Sequence, residues 1–387
     1  MSPEPGEVRE LFRSCFGGAA DGVWLAPGRA NLMGEHTDYN EGFVLPFALG
    51  QGIVAAAARR ADRRLVLCSA QEPGGPADVA LDGLAPGQVT GWAAYPAGVA
   101  WALAAAGYEV PGACIAIDSD LPAGAGLSSS AALECATALA LTEPAGLAVD
   151  RRELAAIARR AENDFAGVPS GIMDQSASLL SRRGHALLLD CRSLESSQVP
   201  FDPAASGARL LLINTRAGHE LSAGEYGRRR AECEQAARLL GVPSLRYLTD
   251  VADLDRIDDP LLRRRARHVV TDDQRVLAAV GWLTSASGDG YPEIGRLLTQ
   301  AHLSLRDDFE ISWPHADVAV EAALAAGALG ARMIGGGFGG SVLALVREDA
   351  ADPVRAAVTD AFARHSWSAP QILAAVPSAS ARRVALE

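Results

Sequence analysis

Four side chains that could take part in polar chemistry crowd into ten residues near the start of the chain: Arg29, Glu35, His36 and Asp38. The glutamate, histidine and aspartate offer hydrogen-bond acceptors that could bind several hydroxyl groups of a polyol. The arginine is a permanent cation and suits a phosphate or a carboxylate. A charged surface turn carries the same residue types, so the cluster predicts either a ligand site or a solvated loop.

Two apolar runs must hold this polar cluster. Residues 23–25 enter it as a predicted strand that is broken at Pro27 and Gly28, and residues 43–46 leave it as another apolar run. Loops that are fixed by rigid elements are where binding sites are commonly built. We therefore expect the cluster to lie on a loop held between two strands.

A second stretch of interest is a loop of small residues between a predicted strand, residues 114–118, and a predicted helix that ends near Leu141. Its glycines, Gly124 and Gly126, let the backbone approach a ligand, and the free amides of a helix's first turn bind anions. Serine is also a common helix N-cap. From the residues alone, the loop is either a phosphate site without lysine or an ordinary capped helix start.

Two isolated acids follow this loop. Glu162 falls on the edge of the apolar face of a helix predicted from Arg151 to about Ala166. A carboxylate there is either solvated or turned into an interior site. Asp174 stands alone among small and apolar residues, a setting typical of a turn or helix-cap aspartate.

The chain contains no lysine, so all 35 of its basic residues are arginine. Schiff-base chemistry, a Walker A loop and the strand lysine of protein kinases are therefore excluded. A protein of this composition that uses a nucleoside triphosphate must bind the phosphates with backbone amides, arginine and metal.

The overall composition is that of a globular protein, and 387 residues are enough for two domains. The net charge of −12 argues against a nucleic-acid partner. The sequence shows neither a signal segment nor a membrane-spanning run, so we expect a cytoplasmic protein. The six cysteines are scattered and are expected to be reduced, and the arginine runs 228–230 and 263–265 are expected to be solvated helix faces.

Hydrophobic patterning predicts the order of the elements. Besides a short amphipathic helix within residues 1–22, the predicted helices include 94–106, 151–166, 259–286, 292–306, 316–328 and 351–365. The predicted strands include 43–49, 52–58, 65–70, 78–82, 114–118, 185–191, 197–202 and 371–376. Long helices dominate the chain after about residue 205, so we place a domain boundary near that residue.

Three motifs resemble those of a known family. Residues 28–40, whose sequence is Gly-Arg-Ala-Asn-Leu-Met-Gly-Glu-His-Thr-Asp-Tyr-Asn, resemble the signature of galactokinases, which are members of the GHMP kinase superfamily. Residues 122–134 resemble the phosphate-binding loop of that superfamily, and residues 330–346 resemble its glycine-rich third motif. The third motif also satisfies G-x-G-x-x-G, but an apolar β-like run follows it where a dinucleotide-binding fold needs a helix.

The resemblance implies a fold and a division of the chain. The implied fold class is α+β, a two-domain GHMP kinase fold. Residues 1–205 would form an N-terminal domain with a mixed sheet like that of ribosomal protein S5, covered by helices. Residues 206–387 would form a ferredoxin-like C-terminal domain with extra helices.

The resemblance also implies roles for individual residues. Asp174 would be the catalytic base, and Arg29 would stabilise the transferred phosphate. The implied sugar-binding residues are Glu35, His36, Thr37, Asp38, Gly171 and Tyr226. Tyr226 belongs to a motif that begins at His219. The implied ATP-binding residues are Ser69, Gly124, Ala125, Gly126, Leu127, Ser128, Ser129 and Ser130, and the implied Mg²⁺ ligands are Ser130 and Glu162.

The activity implied by the resemblance is ATP-dependent phosphorylation of galactose at its anomeric hydroxyl. We expect galactose and ATP as the partners of a monomer that binds neither nucleic acid nor membrane. A GHMP kinase for another sugar or small alcohol is an alternative, as is a non-catalytic sensor of galactose and ATP. Two departures from the family pattern concern local contacts. The segment Ser312-Trp313-Pro314-His315-Ala316-Asp317 lacks an acid that is common there, and Ser341 stands where cysteine is frequent.

Overall fold

The structure, a computed structural model, describes residues 4–122, 124–218, 222–285 and 290–385. Within these ranges the chain forms ten α-helices and thirteen β-strands. The helices are α1 (Pro5–Phe16), α2 (Ala94–Ala105), α3 (Ser129–Thr142), α4 (Arg151–Arg160), α5 (Met173–Leu180), α6 (Ser222–Leu240), α7 (Pro260–Thr284), α8 (Tyr291–Asp307), α9 (Pro314–Ala325) and α10 (Ala351–Arg364). The strands are β1 (Gly22–Asn31), β2 (Phe43–Val44), β3 (Pro46–Arg60), β4 (Arg64–Ser69), β5 (Glu72–Ala80), β6 (Gly112–Ser119), β7 (His185–Asp190), β8 (Ser196–Pro200), β9 (Ala208–Asn214), β10 (Gly330–Ile334), β11 (Ser341–Arg347), β12 (Gln371–Ala375) and β13 (Arg382–Arg383).

The helices and strands predicted from hydrophobic patterning are present close to their predicted positions, although residue 286, the predicted end of one helix, lies outside the described ranges. One difference concerns β3, which joins the runs 46–49 and 52–58 into a single strand. A Cβ at Gly52 would lie 2.4 Å from the Ala26 carbonyl oxygen of β1. Glycine here allows the two strands to approach closely, so it does not end the strand.

The larger sheet has six strands in the order β13-β1-β3-β6-β4-β5. Strands β4 and β6 run parallel and their other neighbours antiparallel, so the sheet is mixed. Alternate residues of β1 face opposite layers: Trp24 and Ala26 enter the main core below α3, whereas Val23 and Leu25 pack against α1. The predicted break of this strand at Pro27 and Gly28 is wrong, because β1 continues to Asn31 with a bulge between Pro27 and Arg29. Arg29 therefore lies on the strand, and the rest of the polar cluster lies on the loop that follows it.

A second, antiparallel sheet has the order β10-β11-β9-β12, and a short three-stranded sheet has the order β2-β7-β8. Leu210 and Leu212 of β9 join the main core, whereas Leu211 and Ile213 join a second core formed with the C-terminal helices. The main core therefore continues past residue 205. The division at that residue stays a prediction.

The end of the chain returns to the first sheet. Arg382 and Arg383 of β13 pair with Leu25 and Trp24 of β1 in antiparallel register. Two residues are too short a run to be predicted as a strand from their pattern. No helix in the described ranges is both long enough and apolar enough to cross a membrane.

The expectation that all six cysteines are reduced is wrong. Cys15 of α1 and Cys68 of β4 form a disulfide with their Cα atoms 6.7 Å apart. The other four cysteines are free. The two bonded residues are 53 positions apart in the sequence, and only the packing of α1 against the sheet brings them together.

The expectation that both arginine runs are solvated is also wrong for one residue of each. Arg229 and Arg265 are almost completely buried. Arg229 Nε donates to the Phe309 carbonyl at 2.7 Å, and Arg265 donates to the carboxylates of Glu232 and Glu310, each at 2.7 Å. Consecutive helical residues point in different directions, so one arginine of a run can face inward while its neighbours are hydrated.

Candidate active site

A cavity of about 180 Å³ lies where the loop after β1 meets α5, α6 and the glycine-rich loop between β10 and β11. The structure brings together eight of the predicted site residues at its wall: Arg29, Glu35, His36, Asp38, Glu162, Gly171, Asp174 and Tyr226. Gly335 and Gly336 also line it. These residues come from segments up to about 300 positions apart, so the cavity is a product of the tertiary fold.

Arg29 and Asp174 form a two-point ion pair at the centre of this cavity. Arg29 Nε donates to Asp174 Oδ1 at 2.8 Å, and Arg29 Nη2 donates to Asp174 Oδ2 at 2.9 Å. Arg29 Nη1 donates to the Gly126 carbonyl at 2.7 Å. Burial acts to lower the pKa of Arg29, but the charges of Asp174 and Glu35 outweigh it and raise that pKa. The guanidinium thus connects the predicted base to the predicted phosphate loop.

The small-residue loop approaches β1 closely. A Cβ at Gly28 would lie 2.7 Å from the Leu127 carbonyl oxygen, which accepts a hydrogen bond from the Arg29 amide at 3.2 Å. Gly124 and Gly126 both have positive φ angles, a conformation that glycine adopts without strain. Glycine is therefore needed both in the loop and at the strand that faces it.

Ser128 precedes the first residue of α3 but does not cap it. Its φ is +59°, and its hydroxyl makes no capping bond to the described first turn; it donates instead to Asp174 Oδ2. The prediction that serine caps this helix is wrong for Ser128, because its backbone is left-handed and not extended as in an N-cap residue, and its hydroxyl points to Asp174. Among the described residues, no side chain caps the first-turn amides of α3, so these amides can bind an anion.

Ser130 and Glu162, the two predicted metal ligands, are in direct contact. Ser130 Oγ donates to Glu162 Oε1 at 2.8 Å, while Ser170 and Gln175 donate to Glu162 Oε2 at 2.6 and 2.7 Å. Glu162 is buried, and burial raises the pKa of its carboxyl. The side chain faces an interior site and is not a solvated edge residue.

The predicted helix 151–166 changes its geometry where it reaches the cavity. The α-helix α4 ends at Arg160, and residues 161–165 form a π-helical turn that contains Glu162. The Ala166 amide donates to the Ala161 carbonyl, five residues back. Single π-helical turns inside helices are often found at functional sites.

Glu35 and His36 reach the cavity from the loop after β1. Glu35 Oε1 accepts from the Gly335 amide at 2.8 Å and lies 3.0 Å from Arg332 Nη2. His36 has a φ of +61°, with Nδ1 2.8 Å from the Tyr39 hydroxyl oxygen. Burial is the main cause that lowers the pKa of His36 to about 3. His36 therefore stays neutral near pH 7.

Asp38, Gly171 and Tyr226 complete the same wall. A Cβ at Gly171 would lie 1.8 Å from Asp38 Oδ2, so only glycine leaves this carboxylate in place. Burial, with a further contribution from the charge of Asp174, raises the pKa of Asp38 to about 6. The Tyr226 ring packs 5.0 Å from the His36 ring. Its motif begins at His219, which lies outside the described residues.

The predicted residues of the loop 124–130 do not line this cavity, and neither do Thr37 and Ser69. Thr37 is fully buried, and its hydroxyl donates to the carbonyls of Gly34 and Phe43 at 2.9 and 2.7 Å. Ser69 ends β4, and its hydroxyl accepts from the Gln71 amide at 3.2 Å. The catalytic, ligand-binding and metal-binding roles of all the predicted site residues stay predictions, including those of Thr37, Ser69 and Gly124, Ala125, Leu127 and Ser129 in the loop before α3.

Sequence reasoning missed several residues that hold the site in place. Gln175 contacts Glu162, and Arg332 contacts Glu35. The sequence signal that could have identified them was their position: Gln175 follows Asp174, and Arg332 lies in the third motif. Asp272 of α7 accepts hydrogen bonds from the loop after β1, and it has no local signal because its partners are 237 and 238 residues away.

The two departures from the family pattern make defined contacts. Ser341 donates to the Ala125 carbonyl at 2.8 Å, so it ties β11 to the loop before α3. Ser312 donates to Asp317 at 2.6 Å, and Asp317 lies 3.3 Å from His302 Nε2. Neither Ser341 nor the described side chains of Ser312 and Asp317 line the cavity.

Family models match three parts of the chain. Residues 10–59 match the galactokinase galactose-binding signature, residues 94–182 match the N-terminal domain of GHMP kinases, and residues 289–364 match their C-terminal domain. The chain is 52% identical over 383 residues to a galactokinase of Streptomyces coelicolor, with 98% of each chain covered. The chain belongs to the galactokinase family.

More distant members of the galactokinase family support the same assignment. The chain is 43% identical to human galactokinase over 360 residues, which cover 89% of this chain and 88% of the human protein. The crystal structure of Lactococcus lactis galactokinase complexed with galactose superposes with a TM-score of 0.92 at 32% identity, covering 98% of this chain and 99% of the other. The predicted α+β GHMP kinase fold is thus confirmed.

Proposed function

We propose that this protein transfers the γ-phosphoryl group of ATP to the anomeric hydroxyl of galactose, forming galactose 1-phosphate and ADP. The observation that carries the proposal is the Arg29 bridge. Arg29 joins Asp174, in the cavity lined by Glu35 and Asp38, to the carbonyl of Gly126 in the phosphate loop. A sugar hydroxyl and a phosphate would therefore meet beside one acceptor and one cation.

The chemistry follows from these two side chains. Asp174 would accept the proton that the sugar hydroxyl loses as it attacks phosphorus. Arg29 would stabilise the negative charge that develops on the phosphoryl oxygens. Because phosphoryl transfer is governed mainly by positioning and electrostatics, the orientation of the hydroxyl by Asp174 contributes alongside its basicity.

Membership of the GHMP kinases implies the use of ATP, and we further propose Mg²⁺ as the metal. Within the described residues, no group of three or more His, Cys, Asp and Glu is placed to hold a metal ion. Mg²⁺ needs no such group, since it commonly takes one or two protein oxygens and fills its shell with water and phosphate. The contact between Ser130 and Glu162 fits that requirement. Bound there, Mg²⁺ would neutralise phosphate charge.

Two alternatives give different outcomes in one assay. A GHMP kinase for another small alcohol would release ADP with that alcohol and not with galactose. A non-catalytic sensor would bind galactose and ATP without releasing ADP, but sensors of that type have lost residues of the phosphate loop, and Ser130 and Ala131 are intact here. We also propose that the protein is cytoplasmic and monomeric.

The first prediction concerns the sugar. We expect galactose to be strongly preferred over glucose, by as much as ~10⁴-fold in kcat/KM, because a site of buried polar groups rejects an analogue that leaves them unpaired. ADP release should be measured with galactose, glucose, N-acetylgalactosamine, arabinose and mevalonate at equal concentrations. Equal turnover of glucose would contradict the proposed substrate while leaving the fold unaffected.

The second prediction concerns pH. Asp38 has a pKa of about 6, so it is a charged acceptor above that pH and a neutral acid below it. If the carboxylate form binds the sugar, galactose affinity should fall about tenfold between pH 7 and pH 5. Neither galactose nor His36, whose pKa is about 3, titrates in this range.

The measurement for this prediction is calorimetric binding of galactose without ATP, which removes the titration of the nucleotide. Asp38→Asn should bind galactose weakly and without this pH dependence. The charged groups that act on Asp38 are Asp174, Glu35 and Arg29. A pH dependence that persists in Asp38→Asn would contradict the assignment of the titration to Asp38.

A further inference from the structure

The loop that presents Glu35 and His36 has a strained backbone. The non-glycine residues His36 and Glu41 have φ angles of +61° and +60°. A non-glycine residue in this conformation is strained and persists only where surrounding structure imposes it. The loop therefore needs an external support.

Helix α7 supplies that support through its side chains. Asp272 Oδ2 accepts from two consecutive backbone amides, those of Gly34 at 3.0 Å and Glu35 at 3.1 Å. His268, one helical turn earlier, places Nε2 3.0 Å from the Glu35 carbonyl oxygen. The peptide units on both sides of Glu35 are thus hydrogen-bonded to one face of α7.

Asp272 is itself held rigidly. It is fully buried, and its Oδ1 accepts from Arg275 Nη1 at 2.5 Å. Burial acts to raise the pKa of Asp272, but Arg275 and His268 outweigh it and hold the pKa below its usual value. A charged acceptor with a fixed partner makes hydrogen bonds about twice as strong as neutral ones.

The structure provides no sign that Asp272 touches a ligand. Among the described residues, those that line the cavity include Glu35 and His36 but not Asp272 or His268. The Glu35 side chain is oriented from the opposite side, by the Gly335 amide. The hydrogen bonds that link Asp272 to the cavity wall are those to the backbone that carries Glu35 and His36.

We propose that Asp272 is a positioning residue for sugar binding: its two hydrogen bonds to the amides of Gly34 and Glu35 hold the strained loop in the conformation that places Glu35 and His36 in the cavity. The inference rests on the proposed function, since it assigns the sugar to this loop. It predicts an effect on galactose binding that is separate from ATP binding, because no hydrogen bond or ion pair joins Asp272 to the described residues of the phosphate loop.

The neighbouring acid gives a matched control. Asp273 Oδ1 accepts from the Phe43 amide at 2.7 Å, where the loop returns to the sheet. Asp273 is also buried, and burial raises its pKa to about 7, so the neutral Asn is a close mimic. Asp273→Asn thus perturbs the same helix and the same loop. It acts at the end of the loop where no sugar contact is predicted.

The experiment compares Asp272→Ala, Asp272→Asn and Asp273→Asn with the unmodified protein. Losing the charged acceptor should raise the galactose Kd and KM at least about tenfold in Asp272→Ala, with a smaller rise in Asp272→Asn. The KM for ATP should stay within about twofold in both. Asp273→Asn should leave the galactose KM within about twofold.

Hydrogen exchange gives a readout that does not depend on activity. The amides of residues 34 and 35 should exchange faster in both Asp272 variants and at the normal rate in Asp273→Asn. If Asp272→Ala does not fold, Asp272→Asn carries the test. Unchanged galactose KM and exchange in a folded Asp272 variant, or equal rises of both substrates' KM, would overturn the inference. An unmodified protein that releases no ADP with galactose would instead overturn the proposed function, and exchange at residues 34 and 35 would still decide the role of Asp272.

Discussion

Replacing Asp174 with asparagine is expected to reduce turnover at least about 10²-fold while galactose and ATP still bind. Asparagine keeps the size of the side chain and one oxygen that can accept from Arg29 or Ser128. It loses the negative charge and cannot take a proton from the sugar hydroxyl. Because Asp174 sits beside the predicted sugar residues in the cavity, the loss should fall on the chemical step.

Single-turnover kinetics together with calorimetric binding separate the two effects. Asp164→Asn is a suitable control, because Asp164 lies on the same π-helical turn as Glu162 but is exposed and pairs only with Arg160 in the described structure. That variant should keep normal turnover. Near-normal turnover in Asp174→Asn would remove Asp174 from the catalytic role.

Because Arg29 contacts Asp174, we expect the effects of replacing these two residues to depend on each other. Arg29→Ala should also lose turnover, since it removes the cation and the hydrogen bonds that Arg29 donates to Asp174 and to the Gly126 carbonyl. The two side chains act on one transition state, so the double variant should lose less than the product of the single losses. Strictly multiplicative losses would show that the ion pair has no joint role.

Replacing Glu162 with glutamine is expected to raise the Mg²⁺ concentration needed for activity by about 10- to 100-fold. The Glu162 carboxylate lies beside the Ser130 hydroxyl, with Oε1 2.8 Å from Ser130 Oγ. The amide of glutamine would offer the ion a weaker, uncharged oxygen in its place. Chelation should abolish activity in the unmodified protein, and added Mg²⁺ should restore it.

Activity titrated with Mg²⁺ at constant ATP and galactose measures this effect. Glu153→Gln provides the control, because Glu153 belongs to the adjoining helix α4, where its exposed carboxylate accepts from the Tyr108 hydroxyl. An unchanged Mg²⁺ requirement in Glu162→Gln would leave Glu162 as a buried structural acid. Ser130→Ala should shift the requirement in the same direction as Glu162→Gln.

The sequence by itself determined the family, the order of the elements and most of the cavity wall. The residues that carry this information lie in short contiguous motifs, such as residues 28–40 and 122–134, whose spacing along the chain is fixed. Helices and strands were also accessible, because hydrophobic periodicity reflects which face of a local element is buried. The buried position of Glu162 followed from the resemblance, since its place on the helix left solvation open.

Only the tertiary structure decided which side chains support those motifs. Asp272 reaches the amides of Gly34 and Glu35 across more than 230 positions, and Cys15 meets Cys68 through the packing of α1. Ser128 donates to Asp174 where local preference predicts a helix cap, and Arg229 is buried in a run that composition predicts to be hydrated. In each case the partner lies far away in sequence, and local pattern carries no information about a contact that exists only after the chain has folded.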